Sequence, residues 1–196
     1  MVKRNAADYT DPIKANSTGF RAWSEADIAA YRARHPLGTK ARLAMELLLW
    51  TGQRRQDVVN MRWSNVRDGR IHLDQEKTGK PMAIKIAPQL MAAIDAMPGE
   101  RGDFILQTAY GKAHTAAGFG NWFRDQCDDA GLKNCTAHGL RKAIARRAAE
   151  LRATNQQLKA LGGWSGDSEV GLYTASADQK GLADSVIDAV STWERG

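Results

Sequence analysis

The stretch TKARLAMELLLWTG, residues 39–52, decides the fold. It is apolar on almost every face of a helix, so it must be surrounded by other elements. Thr39 is a good N-cap and Gly52 a good stop. These residues predict a central core helix. N-terminal to it, WSEADIAAYRARH (23–35) predicts a second helix, with Ser24 as cap, Asp27 at the third position, and Pro36 and Gly38 ending it. Residues 1–22 contain Pro12, Gly19 and no period, and read as a linker or arm with little order. Residues 23–196 read as one domain.

C-terminal to the core helix, QRRQDVVNMRW (53–63) predicts a short helix. RIHLDQEKTGKPMAIKIA (70–87) then loses the helical period. It alternates about Lys77-Thr78-Gly79-Lys80, which predicts a β-hairpin with a glycine turn. PQLMAAIDAM (88–97) returns to helix, and DFIL (103–106) suggests a short strand. Further helices are predicted over 115–131, 136–153, 154–163, 168–175 and 176–193. The fold class is mainly α (α+β), a helical bundle with a small antiparallel sheet.

The apolar fraction of 43% and charged fraction of 26% are those of an ordinary folded chain. The net charge of +6 favours a polyanionic partner, nucleic acid before an anionic membrane surface. Simple solubility is the plainer reading of the same charge. Two cysteines, Cys127 and Cys135, are too few for a disulfide framework and fit a reducing compartment. Cys135 and His138 lack the second pair of ligands that zinc requires. No apolar run reaches the about 18 residues of a membrane span, and the polar N-terminus has no signal-peptide pattern. A cytoplasmic location is expected.

Several residues carry chemistry when taken together. Arg54 stands just past the core helix, with Asp57 on the same face three residues on. Lys77 sits in the hairpin turn. His138 and Arg141 lie one turn apart on a strongly basic helix. Trp164 follows Leu161-Gly162-Gly163, and Tyr173 comes nine residues later. Each has an ordinary structural reading when judged alone. As a set, they supply what phosphoryl transfer to a protein hydroxyl needs without a metal. Cations hold the phosphate oxygens, an acid protonates the leaving alkoxide, and a tyrosine attacks.

Four stretches, TGQRRQDVVNMRW, QEKTGKPMAIKI, TAHGLRKAIA and LGGWSGDSEVGLYT, occur in the order found in the tyrosine recombinase (phage integrase) family, and the chain from about residue 22 onward resembles its catalytic domain. The resemblance implies a site-specific DNA recombinase that needs no metal or nucleotide cofactor. Arg54 and Arg141 would bind the non-bridging oxygens of the scissile phosphate. Lys77 would protonate the leaving 5′-oxygen. His138 would assist proton transfer with Tyr173, which would form the 3′-phosphotyrosyl link. Trp164 occupies a position that is histidine in most members; it can donate a hydrogen bond but cannot shuttle a proton. Asp57 would support Arg54. Arg55, Lys80, Arg146 and Arg147 would hold the flanking DNA.

The implied partners are double-stranded DNA, further copies of the chain assembled as a tetramer on it, and accessory DNA-bending proteins; the isolated chain would be a monomer beside the nucleoid. Leu182, Val186, Ile187 and Val190 form one stripe on the last helix, suited to packing on a neighbouring protomer or back on its own domain. Family members usually carry an N-terminal helical domain of about a hundred residues, for which fewer than two dozen unpatterned residues stand here. A fragment of a longer integrase is therefore expected. A type IB topoisomerase-like relaxing activity and a non-cleaving DNA-binding fragment remain alternatives.

Overall fold

The computed structural model describes residues 20–167, 170, 171 and 179–195, the side chains of 179–182 excepted. Most of the expected arm, most of the helix expected at 168–175, Tyr173 and the side chain of Leu182 lie outside the described residues.

Helix α1, Glu25–Arg34, begins with the expected reciprocal cap: Ser24 Oγ accepts the Asp27 N–H, and Asp27 accepts the Ser24 N–H. Helix α2, Lys40–Thr51, is the central element. Leu43, Ala44, Met45, Leu47, Leu48 and Leu49 are all buried. Each large member contributes about 1.5–3 kcal/mol by leaving water. Gly52 ends the helix in the left-handed conformation, φ 61°. Glu46, fully buried in α2, accepts from Arg32, Arg42 and the Trp50 indole, so its charge is matched where it is buried.

Beyond α2, helix α3 covers only Arg55–Val59, shorter than the sequence suggests. The chain leaves it because the Met61 carbonyl receives the Ile105 N–H and the Trp63 N–H goes to Asp103. The strand expected at 103–106 is reduced to a single bridge, Arg62 to Phe104. A three-stranded antiparallel sheet follows: β1 Val66–Arg67, β2 Arg70–Asp74 and β3 Pro81–Lys85. The hairpin of β2 and β3 was legible. β1 is only two residues long and was not; Asp68 and Gly69, both at positive φ, turn it into β2. Ile71, Met82 and Ile84 form the sheet's buried face.

Helices α4 (Pro88–Asp95), α5 (Ala116–Asp129), α6 (Ala137–Glu150) and α7 (Asn155–Gly162) complete the core. Trp23, Tyr31, Phe119 and Phe123 form an aromatic cluster between α1 and α5. Helix α6 crosses α2, and a second small cluster of Ala145, Leu158, Trp164 and Val170 lies on its other side. The last helix, α8, spans Gln179–Glu194 and exposes Val186, Ile187, Val190 and Trp193.

Residues 20–23, partly assigned to the arm by sequence, run across the start of α6. The Trp23 N–H reaches the Gly139 carbonyl, its indole reaches Thr136, and Arg21 reaches Cys135 and Asp27. Gly139 makes this crossing feasible: a Cβ there would stand 2.4 Å from the Arg21 carbonyl oxygen.

Candidate phosphate-binding site

The left-handed turn at Gly52 redirects the chain from α2 into α3 and brings Arg54 to a pocket of about 300 Å³. Phe20, Arg54, Arg55, Gly120, Arg124 and His138 line much of it. Arg54 Nη1 is buried with no hydrogen-bond partner among the described residues. Gly120 leaves room for Arg55, whose Nη1 would lie 2.7 Å from a Cβ there. No ion pair involves Arg54, Arg55 or Arg124 among the described residues. Three guanidinium groups around a concave surface suit a doubly accepting anion such as a phosphodiester.

Thr136 caps α6 by accepting the Gly139 N–H and so sets the helix turn that carries His138. His138 keeps contact with solvent, and one side of its ring packs on Phe20 with centroids 5.0 Å apart. Partial loss of water, then repulsion from Arg141, Lys142, Arg54 and Arg55, holds its pKa below the usual histidine value. It is therefore neutral at pH 7 and able to accept a proton.

Arg141 is buried one turn later. Its Nη1 donates to the carbonyls of Gly52, at 2.5 Å, and Gly162, at 2.8 Å. The Trp164 ring lies under the guanidinium, 4.3 Å from it, and is itself 4% exposed. Trp164 thus packs on Arg141 in the interior of the domain.

Asp57 does not pair with the Arg54 guanidinium. Its carboxylate accepts the backbone N–H of Arg54 at 3.2 Å and of Glu76 at 2.9 Å. It joins the start of α3 to the β2–β3 turn that carries Lys77 and Lys80, both exposed. Arg146 and Arg147 are engaged elsewhere: both bind Glu25, tying α6 to α1, and Arg146 also binds Glu150.

Sequence reasoning missed Phe20 and Arg124, and it missed Gln53 and Gln75, both buried. Arg124 lies on the polar face of α5, where an arginine usually contacts only water. Nothing in a single sequence distinguishes a buried glutamine from an exposed one.

The family model described as the phage integrase family matches residues 24–180. The chain belongs to the phage integrase family. Arg54, Lys77, His138, Arg141, Trp164 and Tyr173 all fall within the matched span. The integrase of Escherichia phage HK022 is 36% identical over 106 residues, 54% of this chain and 29% of that integrase. The lambda integrase tetramer bound to a Holliday junction superimposes with a TM-score of 0.65 at 26% identity, over 86% of this chain and 53% of that one. The lambda integrase catalytic core gives a TM-score of 0.60 at 24% identity, over 76% of this chain and 94% of the core. The latter likeness is one of fold. The chain thus spans less than a third of the length of the curated integrases it matches. No helix among the described residues is long and apolar enough to cross a membrane.

Proposed function

We propose that this integrase-family chain breaks and rejoins DNA at specific sites through a covalent link to Tyr173. The observation that carries the reading is the arginine-lined pocket, with Arg54 Nη1 buried and unpartnered and a neutral His138 at its edge. A scissile phosphate fills such a pocket with charge and acceptors at once.

In this reading Arg54 and Arg141 hold the non-bridging oxygens as charge develops on them. The Tyr173 oxygen attacks phosphorus and loses its proton to His138. The bond to the 5′-oxygen breaks, and Lys77 protonates that oxygen as it leaves. The phosphotyrosyl bond keeps the energy of the phosphodiester, so the reverse attack by a 5′-hydroxyl rejoins the strand. Trp164 supports Arg141 and donates a hydrogen bond towards the phosphate. Arg55, Arg124 and Lys80 contact neighbouring phosphates. Arg146 and Arg147 contribute less to DNA, because Glu25 already takes their charge.

The reaction belongs in the cytoplasm beside the nucleoid. The exposed stripe of Val186, Ile187 and Val190 on α8 packs on a neighbouring copy when four copies assemble on DNA, with bending proteins shaping the site. Deleting residues 177–193 should then reduce assembly on DNA while leaving the core folded.

The decisive experiment is covalent trapping. The chain and its Tyr173→Phe variant are incubated with fragmented, nicked DNA from the source, then denatured and digested with nuclease. Mass spectrometry should find a nucleotide on Tyr173 of the unchanged chain alone, and sequencing of the trapped DNA gives the site. An adduct on another residue, or equal trapping by the variant, removes Tyr173 as nucleophile.

A further inference from the structure

The buried polar core behind the site is organised around one glutamine. Gln75 is 1% exposed and lies between the end of β2 and the turn that carries Lys77. Its Nε2 donates to Gln53 Oε1 at 2.5 Å and to the Gly162 carbonyl at 2.9 Å. Its Oε1 accepts the Thr78 hydroxyl at 2.9 Å. Its backbone N–H goes to the Lys80 carbonyl, and its own carbonyl accepts the N–H groups of Thr78 and Gly79. Every polar group of Gln75 is therefore spent on closing the Lys77 turn or on fixing that turn to the domain.

The anchor points belong to the site. The Gly162 carbonyl that receives Gln75 also receives Arg141 Nη1 at 2.8 Å. Gln53, directly before Arg54, donates to Thr51 and to Leu161. One carbonyl and one side chain thus hold the Lys77 turn, Arg141 and the start of α3 in register. The surroundings are shaped for this. Gly163 has φ 72°, and a Cβ there would fall 2.4 Å from Gln75 Nε2.

We infer that Gln75 is a positioning residue for proton donation by Lys77: it fixes the hairpin turn to the same carbonyl that places Arg141. The inference rests on the recombinase reading above. A buried, fully used amide is a costly feature if it only fills space, because a half-satisfied network destabilises. An exposed lysine on a turn is otherwise free to wander, and misplacement of a reacting group by about 1 Å can cost about a hundredfold in rate.

Two variants test it. Gln75→Met keeps length and volume but removes the donors and the acceptor. Thr78→Val removes the hydroxyl, with its contacts to Gln75 Oε1 and the Lys80 N–H, from the outer side and spares the core. Each is compared with the unchanged chain on a nicked duplex of the site recovered by trapping. A second duplex carries a 5′-bridging phosphorothiolate, whose sulfur leaves without needing a proton. The expected result is roughly a tenfold to hundredfold slower cleavage of the ordinary duplex by Gln75→Met, a smaller loss for Thr78→Val, cleavage of the phosphorothiolate close to the unchanged rate, and unaltered duplex affinity. Amide exchange at residues 76–79 should accelerate while that of α2 and α6 stays protected.

Equal slowing on both duplexes would overturn the inference, since a merely damaged site is not rescued by a better leaving group. So would unchanged exchange in the turn. If the unchanged chain cleaves neither duplex, the recombinase reading falls, and the role for Lys77 falls with it. If it cleaves both and the variants match it, only the inference falls.

Discussion

Helix α6 carries arginines in two settings. At its N-terminal end Arg141 is buried and placed by two backbone carbonyls and the Trp164 ring. At its C-terminal end Arg146 and Arg147 reach outward and share Glu25 of α1. Carbonyls direct a guanidinium without cancelling its charge, whereas a carboxylate cancels most of it. The helix therefore keeps an uncancelled positive charge at one end, on Arg141, and neutralises its other end. The same contrast separates Arg54, Arg55 and Arg124 around the pocket from Arg32 and Arg42, which bind Glu46 in the core.

The largest expected effect comes from Arg141→Ala. It removes the Arg141 donor from the Gly52 carbonyl inside the protein and leaves the Gly162 carbonyl with Gln75 alone, which costs about 1–3 kcal/mol of stability. In the proposed reaction it also removes a phosphate ligand, and cleavage should fall by at least about a thousandfold. Arg141→Lys should recover part of the stability and little of the rate, because an ammonium cannot reproduce the planar fork. Thermal unfolding and single-turnover cleavage read the two effects separately, and full recovery by lysine would break the contrast.

Asp57→Ala comes next. It frees the Arg54 and Glu76 N–H groups and loosens the contact between α3 and the hairpin turn. Cleavage should fall by about tenfold to a hundredfold, with Asp57→Asn closer to the unchanged chain because one acceptor remains. An Asp57→Ala chain that cleaves normally would show that the backbone contact positions nothing.

The third effect is on pH. Partial loss of water and the surrounding cations hold the His138 pKa below the usual histidine value in the free chain, which favours its uncharged form. Because a histidine depressed by folding opposes its charged form, the stability it protects is present above pH 6.5 and is lost as pH falls below that value. A phosphodiester in the pocket acts in the opposite sense and raises the pKa. DNA binding should then take up a proton, and duplex affinity should increase as pH falls from 7.5 to 6, by at most about tenfold per unit. His138→Gln in the Tyr173→Phe background should flatten that dependence in a fluorescence titration.

The smallest effect is at the other end of α6. Arg147 and then Arg146 hold Glu25 at a pKa of about 2, so the pairing persists through moderate acid and is lost only as pH approaches that value. The pair is solvent-exposed on the Glu25 side and contributes roughly 0.2–1 kcal/mol. Glu25→Ala should cost about that much and should slightly raise non-specific DNA affinity by releasing two cations, with a steeper salt dependence. Unchanged salt dependence would mean that these arginines face away from DNA in any case.

Much of this protein could be read directly from its residues. The caps at Ser24 and Thr39 and the stop at Gly52 were legible because a cap is satisfied within three or four residues. The hairpin about Gly79 was legible for the same reason, since alternation and a glycine turn are local signals. The order of Arg54, Lys77, His138, Arg141, Trp164 and Tyr173 also stood in the sequence as a pattern of chemistry. The two-residue strand β1 was too short to show a period, and α3 stopped early because the backbone just after it, at Met61 and Trp63, bonds to Ile105 and Asp103, forty or more positions away.

The placement of the site was decided only in three dimensions. Residues 52–53, 75, 141 and 162 come from four distant parts of the chain, and nothing local says that they share hydrogen bonds. A polar side chain reads as polar whether water or a distant carbonyl satisfies it. The sequence alone determined which groups are available and which elements carry them. Packing of α6 and α7 against α2 and the hairpin decided which arginines keep their charge for a ligand, because burial and partner choice are properties of neighbours that only folding supplies.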